Sequence, residues 1–354
     1  MKFRTMALVA GSAAALFSAS AFSAPDAEAR VLKVQTSSNA SHFSLRYLQD
    51  EWLPKLAAMT DGEVEIELLP IESVVGRRDT PDAVQNGILD GDYTAVAYFA
   101  GIDPGFALMG DLIAGYDRPE QLWNFCQREG GKEILQKLYD EHFPGVHVVA
   151  CGTYNREAFV STVPIEGVSD LEGLKIRAPE GMAADVFRRA GASPVALPSS
   201  ETYGALERGV IDAADNSAYV NNDANGMHKI AKYPLYPGIH SMPFLQLTFN
   251  QNTWDSLTQA QQTIIEVWWE AALMDVTREV RQQDITLVAR DRADSDLTII
   301  DWSQDERDKL REIAVDSWKA FAKGSPLAEE AYNAHIAYMK KAGMLSQDFD
   351  ASLN

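Results

Sequence analysis

The sequence predicts an α/β protein of two domains, and three features of the chain carry that prediction. Two runs read strand–helix–strand, Val31 to Leu68 and Leu174 to Asp212, which is the building unit of a parallel sheet. After the second run the chain is punctuated by Pro234, Pro237 and Pro243, as expected where it crosses back to the first domain. From Gln259 to about Arg290 neither Gly nor Pro breaks a helical pattern. One helix of roughly 30 residues, about 45 Å long, is expected there.

Val31 to Thr36 alternates as a first strand, and Ser37 to Ser41 is a polar loop. Phe43, Leu45, Tyr47, Leu48, Trp52 and Leu53 follow at helical spacing, and Val64 to Leu68 alternates as a second strand. His42 and Phe43 stand at the mouth of the first strand, where a ligand could touch them; a lone His at a helix start serves equally as a cap or a surface residue. Thr80 is the expected N-cap of a helix Pro81 to Gly87, with Pro81 in its first turn. A strand from Asp90 to Ala97 is expected next, ended by Tyr98 and Phe99. One of these two belongs in the core, and Tyr98 is a candidate wall of a cleft. Asp103-Pro104-Gly105 reads as a turn, Arg118 to Tyr139 as one or two helices, and Val146 to Ala150 as a strand with Cys151 buried at its end.

In the second run, Leu174-Lys175-Ile176 alternates and Pro179 blocks continuation beyond Arg177. Ligands of open α/β sheets bind outside the carboxyl ends of strands. A guanidinium placed there offers a planar fork for a carboxylate; pairing of Arg177 with a structural acid is the competing reading. Met182 to Ala190 is helical and stops at Gly191, Val195 to Leu197 is a short strand, and Ser199 or Ser200 caps a helix Glu201 to Arg208. Asp212 to Asn216 lies at the next strand end, followed by an Asn-rich polar stretch to His228. Leu245 to Asn250 is a strand, Thr258 caps the long helix, Thr298 to Asp301 is a late strand, and Asp305 to Lys323 and Leu327 to Ala342 are closing helices.

Composition limits the function. The chain has 354 residues, 46% of them hydrophobic, enough for two cores. Its net charge of −20 argues against nucleic acid or an anionic membrane as partner. Residues 1–29 read as a signal peptide, with Lys2 and Arg4 ahead of the apolar stretch Met6 to Phe17 and cleavage after Ala21 or Ala29. No later stretch is long and apolar enough to span a bilayer, so no membrane insertion of the mature chain is expected. Cys126 and Cys151 allow either a disulfide or two buried thiols. No Ser-His-Asp or Cys-His order, phosphate-binding glycine loop or zinc spacing is present, so neither catalysis nor a cofactor nor a metal is expected.

Three linked blocks, Asp170 to Pro179 (DLEGLKIRAP), Gly191 to Val195 (GASPV) and Glu201 to Ala213 (ETYGALERGVIDA), resemble the periplasmic solute-binding proteins of TRAP transporters. With weaker matches the resemblance runs from about Val31 onward. It implies a two-domain periplasmic-binding-protein fold with a long helix crossing both domains. It also implies capture of a small organic acid in the cleft, delivery to TRAP membrane subunits and a periplasmic location. An exported enzyme or a sensory ligand-binding protein on the same fold is the alternative. In the family the Arg of the first block anchors the ligand's carboxylate, which implies Arg177 here; Asn216 takes the place of an Asn that often follows the third block. Counting back without a gap through Leu174, Gly173, Leu171, Asp170 and Pro164 puts Arg156 on a second ligand-contacting position, although the local Gly-x-Arg pattern is lengthened by two residues. A surface salt bridge is the competing reading for Arg156. Some relatives have a Gln at the Arg156 place and a Glu-Trp pair at Asp215-Asn216, and hold a cation beside a 2-oxo acid; this chain has Arg156 instead and departs from that pattern, while Asp215, a candidate ligand contact, could still contribute to such a site. The expected domains are 31–153 with 243–281, and 154–242 with 282–345.

Overall fold

A computed structural model describes residues 29–179, 181–239, 242–294 and 296–353. Apart from Ala29, the expected signal segment lies outside them.

The chain opens with β1 (Arg30–Thr36) and α1 (Phe43–Tyr47). One wide π-helical turn, Leu48–Trp52, leads into α2 (Leu53–Met59). Pro54 has no N–H for the regular ladder, and the wider turn carries the helix past it. β2 (Val64–Leu69) returns, α3 (Thr80–Gln85) follows, and β3 (Gly91–Ala95) ends in a 3-10 turn, Val96–Phe99. Then come α4 (Pro104–Gly110), α5 (Pro119–Arg128), α6 (Gly131–His142) and β4 (Val146–Gly152). The second region holds β5 (Phe159–Ser161), β6 (Lys175–Arg177), α7 (Met182–Arg189), β7 (Ser193–Val195), α8 (Thr202–Glu207), β8 (Ala213–Asp215) and α9 (Tyr219–Ala224). β9 (Leu245–Asn250), α10 (Gln251–Asp255), α11 (Gln259–Asp294), α12 (Gln304–Ala322) and α13 (Pro326–Lys341) complete the chain.

The strands form two separate sheets, in the orders β2-β1-β3-β9-β4 and β5-β8-β6-β7. β1 is parallel to β2 and β3, whereas β9, the return strand, runs antiparallel between β3 and β4. In the second sheet β6 lies between β7 and β8, parallel to both. The fold is therefore mixed α/β with two sheets, as the two strand–helix–strand runs imply. Cys126 and Cys151 form a disulfide between α5 and β4, with Cα atoms 5.9 Å apart.

Several local expectations are corrected. Thr80 does not cap α3; the N-cap is Asp79, and the Thr80 hydroxyl donates to buried Asp92 at 2.7 Å. Asp103-Pro104-Gly105 is the start of α4, with the Asp103 side chain accepting from Gly105 N at 2.6 Å. Tyr98 and Phe99 lie in the 3-10 turn beyond β3, and Phe99 is the one in the core. β7 forms at 193–195, two residues earlier than expected, and neither Ser199 nor Ser200 caps α8 with its side chain, because a 3-10 turn, Ser199–Glu201, precedes that helix. Thr298 to Asp301 makes a single bridge, Ile300 to Leu235, flanked by backbone hydrogen bonds from Thr298 N to Lys232 O and from Ile300 N to Pro234 O, and is not extended into a strand.

The long helix α11 has 36 residues and starts from a capping box: Thr258 Oγ1 accepts from Gln261 N, and Gln261 Oε1 accepts from Thr258 N. Along its first half, Ile265, Trp268, Trp269, Leu273 and Val276 bury against the first sheet's core. Further on its partners change. The Thr277 hydroxyl donates to Thr153 O at 2.8 Å, Asp284 accepts from Val220 N at 2.8 Å, and Arg290 bonds both Asp223 and Asp291 at 2.7 Å. The helix thus runs from the first sheet's core to α9, which continues from β8 of the second sheet.

Asp284 is fully buried on this helix and meets the backbone N–H groups at the start of α9. Burial pushes its carboxyl up to about 7, against the opposing pull of hydrogen bonds from Val220 and Tyr219. Below the ordinary carboxyl range, folded and unfolded chains both hold the proton. Between that range and about 7 only the folded chain keeps it, so stability falls as pH rises and the loss is complete above about 7. Asp284→Asn keeps an acceptor for Val220 and removes this loss. The melting temperature of Asp284→Asn minus that of wild type should therefore increase from about pH 5 to about pH 8; a difference constant across that range would contradict the assignment.

Candidate functional site

Strand ends of both sheets converge on one cavity of about 100 Å³. Ser37 to Asn39 follow β1, Ala97 and Tyr98 follow β3, Arg177 ends β6, and Asn216 follows β8. This is where the carboxyl ends of strands leave backbone and side-chain groups facing a crevice. Its size suits a small molecule.

Arg177 is 3% exposed, and its setting follows from the place of β6 in the sheet. Beyond β7 the chain brings Leu197 O to accept from Nε at 3.2 Å, and the end of β8 brings Asp215 O to accept from Nη1 at 2.6 Å. The two neighbouring strand ends clasp the guanidinium by its backbone-facing edge. Among the described residues no acceptor is recorded for Nη2, and the side chain lines the cavity. The competing reading, pairing with a structural acid, finds no such ion pair among the described residues.

Asn216 is 4% exposed and also lines the cavity. Its Nδ2 donates to Asn222 Oδ1 at 2.6 Å, while Asn222 Nδ2 donates to the carbonyls of Asn216 and Ser217, each at 3.0 Å. The first turn of α9 therefore orients Asn216 by holding both its side-chain Nδ2 and its backbone carbonyl. Tyr98 lines the wall, with the Arg77 guanidinium over its ring at 4.8 Å.

Arg156 is not brought to the cavity. Its guanidinium donates to the carbonyls of Gly238 and Asp117, away from the lining, and burial with the nearby positive charge of Arg307 lowers its basicity. The next residue, Glu157, lines the cavity instead. Residues 153–158 belong to neither strand nor helix, so no periodicity tells which side chain turns inward. Asp215 backs the wall: its carbonyl holds Arg177, and the charge of its carboxyl acts on Glu157.

Tyr154, Glu157 and Ser217, which the sequence reading did not place in the site, complete it together with His42, which that reading set at the mouth of the first strand. Tyr154 donates to Glu157 Oε1 at 2.6 Å and lies 3.3 Å from Ser217 Oγ, which is 3.0 Å from His42 Nε2. Burial pushes the Glu157 carboxyl well above its ordinary range, with the charges of Asp215 and Asp111 adding to the rise. Burial lowers His42 to about 4, so its ring is neutral at physiological pH. This chain runs from the β1–α1 loop of the first sheet to the crossing segment that leads to β5. Its traces in the sequence were His42 at the mouth of the first strand and the irregular spacing between Gly152 and Arg156.

Comparison with known proteins gives a consistent result. The family model for bacterial extracellular solute-binding proteins, family 7, matches residues 35–324. A monocarboxylate 2-oxoacid-binding periplasmic protein of Nostoc is 27% identical over 288 residues, which cover 81% of this chain and 78% of that one. The crystal structure of a TRAP periplasmic solute-binding protein from Rhodobacter sphaeroides, in an apo open form, is similar with a TM-score of 0.74 and 38% identity, covering 90% of this chain and 100% of that one. Another, from Colwellia psychrerythraea with bound calcium and pyruvate, has a TM-score of 0.78 and 22% identity over 89% and 96% of the two chains; at that identity the likeness is one of fold.

Asn222 is fully buried and ties three chain segments together through its amide. Asn222→Ala should lower stability by about 1–3 kcal/mol, because it leaves buried polar groups unsatisfied. Chemical denaturation measures this; an unchanged midpoint would show that Asn216 is held by other contacts.

Proposed function

The chain belongs to family 7 of the bacterial extracellular solute-binding proteins, and we propose that it is the periplasmic receptor of a TRAP transporter, capturing a small organic acid between its two lobes and delivering it to the membrane subunits. The observation that carries this reading is the buried, backbone-clasped guanidinium of Arg177 on the cavity wall. A carboxylate supplies what such a group lacks, a paired acceptor with matching planar geometry. Asn216 and Tyr98 are proposed to contact the rest of the ligand, with Asp215 acting through Arg177 and Glu157. Arg156 has no place in this contact set.

Membrane subunits, rather than the chain itself, would span the bilayer; no helix of the described residues is long and apolar enough to cross one. Export through residues 1–29 is part of the same proposal. The proposed moving halves are 31–153 with 243–281, and 154–242 with 282–345. The packing of α13 on α4 and α6 argues for letting that helix travel with the first half. Closure around the ligand would need only rotation at the crossing segments and along α11.

We take the protein to bind without turnover. The His42–Ser217–Tyr154 chain is the arrangement that an enzyme reading would have to use, and the low basicity of His42 makes it a poor general base. Stabilisation by a ligand that is recovered unchanged separates a receptor from an enzyme.

Arg177→Met should weaken carboxylate binding by about 2–5 kcal/mol, since truncating one side of a buried hydrogen-bonded charge pair has that effect. Arg177→Lys keeps the charge but loses the fork and should fall between the two. Isothermal titration decides the matter, with melting curves to confirm folding. Wild-type affinity in a folded Arg177→Met protein would place the anchor elsewhere.

A further inference from the structure

Away from the cavity, Asp223, His228 and Asp291 bring together atoms able to ligate a metal ion, all within 4.8 Å of one another. None of the three lines the cavity. Asp223 stands near the end of α9, His228 in the 3-10 turn Met227–Lys229 that follows, and Asp291 on α11. The two acids alone would carry no argument, because Arg290 neutralises them: its Nη2 donates to Asp223 and its Nε to Asp291, each at 2.7 Å. His228 is what the guanidinium leaves unexplained. It is 6% exposed, and neither ring nitrogen has a hydrogen-bond partner among the described residues. Nδ1 faces Asp223 Oδ1 at 3.7 Å, beyond hydrogen-bond reach. A neutral imidazole offers one donor and one lone pair, and a buried lone pair without a partner is costly.

We infer that Asp223, His228 and Asp291 form a site for a divalent transition-metal ion, zinc foremost, which competes with Arg290 for the two carboxylates. Two carboxylate oxygens and one imidazole nitrogen suit zinc, whereas calcium and magnesium favour all-oxygen sets. Two ionised carboxylates also balance the charge of the ion. Outer contacts already orient the donors: the Tyr219 hydroxyl donates to Asp291 Oδ2 at 2.7 Å, and the Tyr219 ring lies 4.3 Å from that of His228. Donors around a tetrahedral zinc ion lie about 3.4 Å apart, so the three need draw together by only about 1 Å. Arg290 has to swing aside, and its side chain, 52% exposed, has solvent to swing into. The bound ion would fasten α9, the turn after it and the long helix to one another. It would thus brace the junction that orients Asn216.

The test is isothermal titration of the full mature protein, stripped with chelator, using zinc, calcium and magnesium chlorides as probes. One equivalent of zinc should bind, about tenfold or more tightly than calcium or magnesium. Saturating zinc should raise the melting temperature by about 3 °C or more, since the ion binds only the folded chain. Asp223→Asn and His228→Gln should each weaken zinc about tenfold or more. His142→Gln, which alters a different His–acid pair at Asp103, should leave zinc affinity within about threefold. Arg290→Gln removes the competing cation and should tighten zinc about threefold or more. Melting curves verify that each variant folds. Should the site variants fail to fold, anomalous scattering from wild-type crystals grown with zinc decides, with the ion expected within about 2.3 Å of donors from all three residues. Absence of zinc binding overturns the site, and so does binding that survives both Asp223→Asn and His228→Gln, which places the ion elsewhere. Tighter binding of calcium or magnesium overturns the assigned class of ion. Weaker zinc binding in Arg290→Gln overturns the competition.

Discussion

The Arg177 guanidinium is held by two backbone carbonyls, one at the end of β8 and one just beyond β7, the strands on either side of its own. That clasp makes the anchor rigid without consuming its charge. Carbonyl oxygens are neutral acceptors, so the positive charge remains available to an anion, and the side chain's conformational entropy is already spent before a ligand arrives. A salt bridge in the same place would have neutralised the anchor. The arrangement depends on the parallel order β8-β6-β7, which puts three strand ends side by side at the same edge.

The rest of the cavity is organised by the junction between lobes. α9 orients Asn216 through Asn222, and α9 is itself tied to the long helix by Asp284, by Asp291 through the Tyr219 hydroxyl, and by Arg290. Because the first half of that helix is buried in the core of the five-stranded sheet, the position of α9 is referred back to the other lobe. The orientation of Asn216 and the geometry of the junction are thereby mechanically linked. The buried carboxyl of Asp284 sits at the centre of this linkage, where it satisfies the first amides of α9 at the expense of its own hydration.

Much of this framework was legible in the chain because its signals are local. Alternation ending at Pro179 located Arg177 at a strand end, and the uninterrupted pattern after Thr258 located the long helix. What was not legible depends on distant partners or on irregular backbone. Glu157 was overlooked in favour of its neighbour Arg156, since 153–158 has no period from which a side chain's direction can be read. Thr298 to Asp301 has strand-like residues, yet its partner is the irregular, proline-containing segment Lys232 to Tyr236, so the pairing stops at one bridge. Asp284 looks like an ordinary exposed charge until α9, 64 residues away in sequence at Val220, is packed on it. Thr80 reads as a cap but is drawn inward by Asp92, a buried acid that only the sheet brings near. Pairing of Cys126 with Cys151 likewise needed the packing of α5 on β4.

The crystal structure of the protein with its ligand tests the anchoring role of Arg177 most directly. A ligand carboxylate oxygen should lie within about 3.2 Å of the Arg177 guanidinium, with the Leu197 and Asp215 carbonyl contacts retained. A ligand whose acidic group is bound by other donors, while Arg177 turns to a protein acceptor, would contradict it.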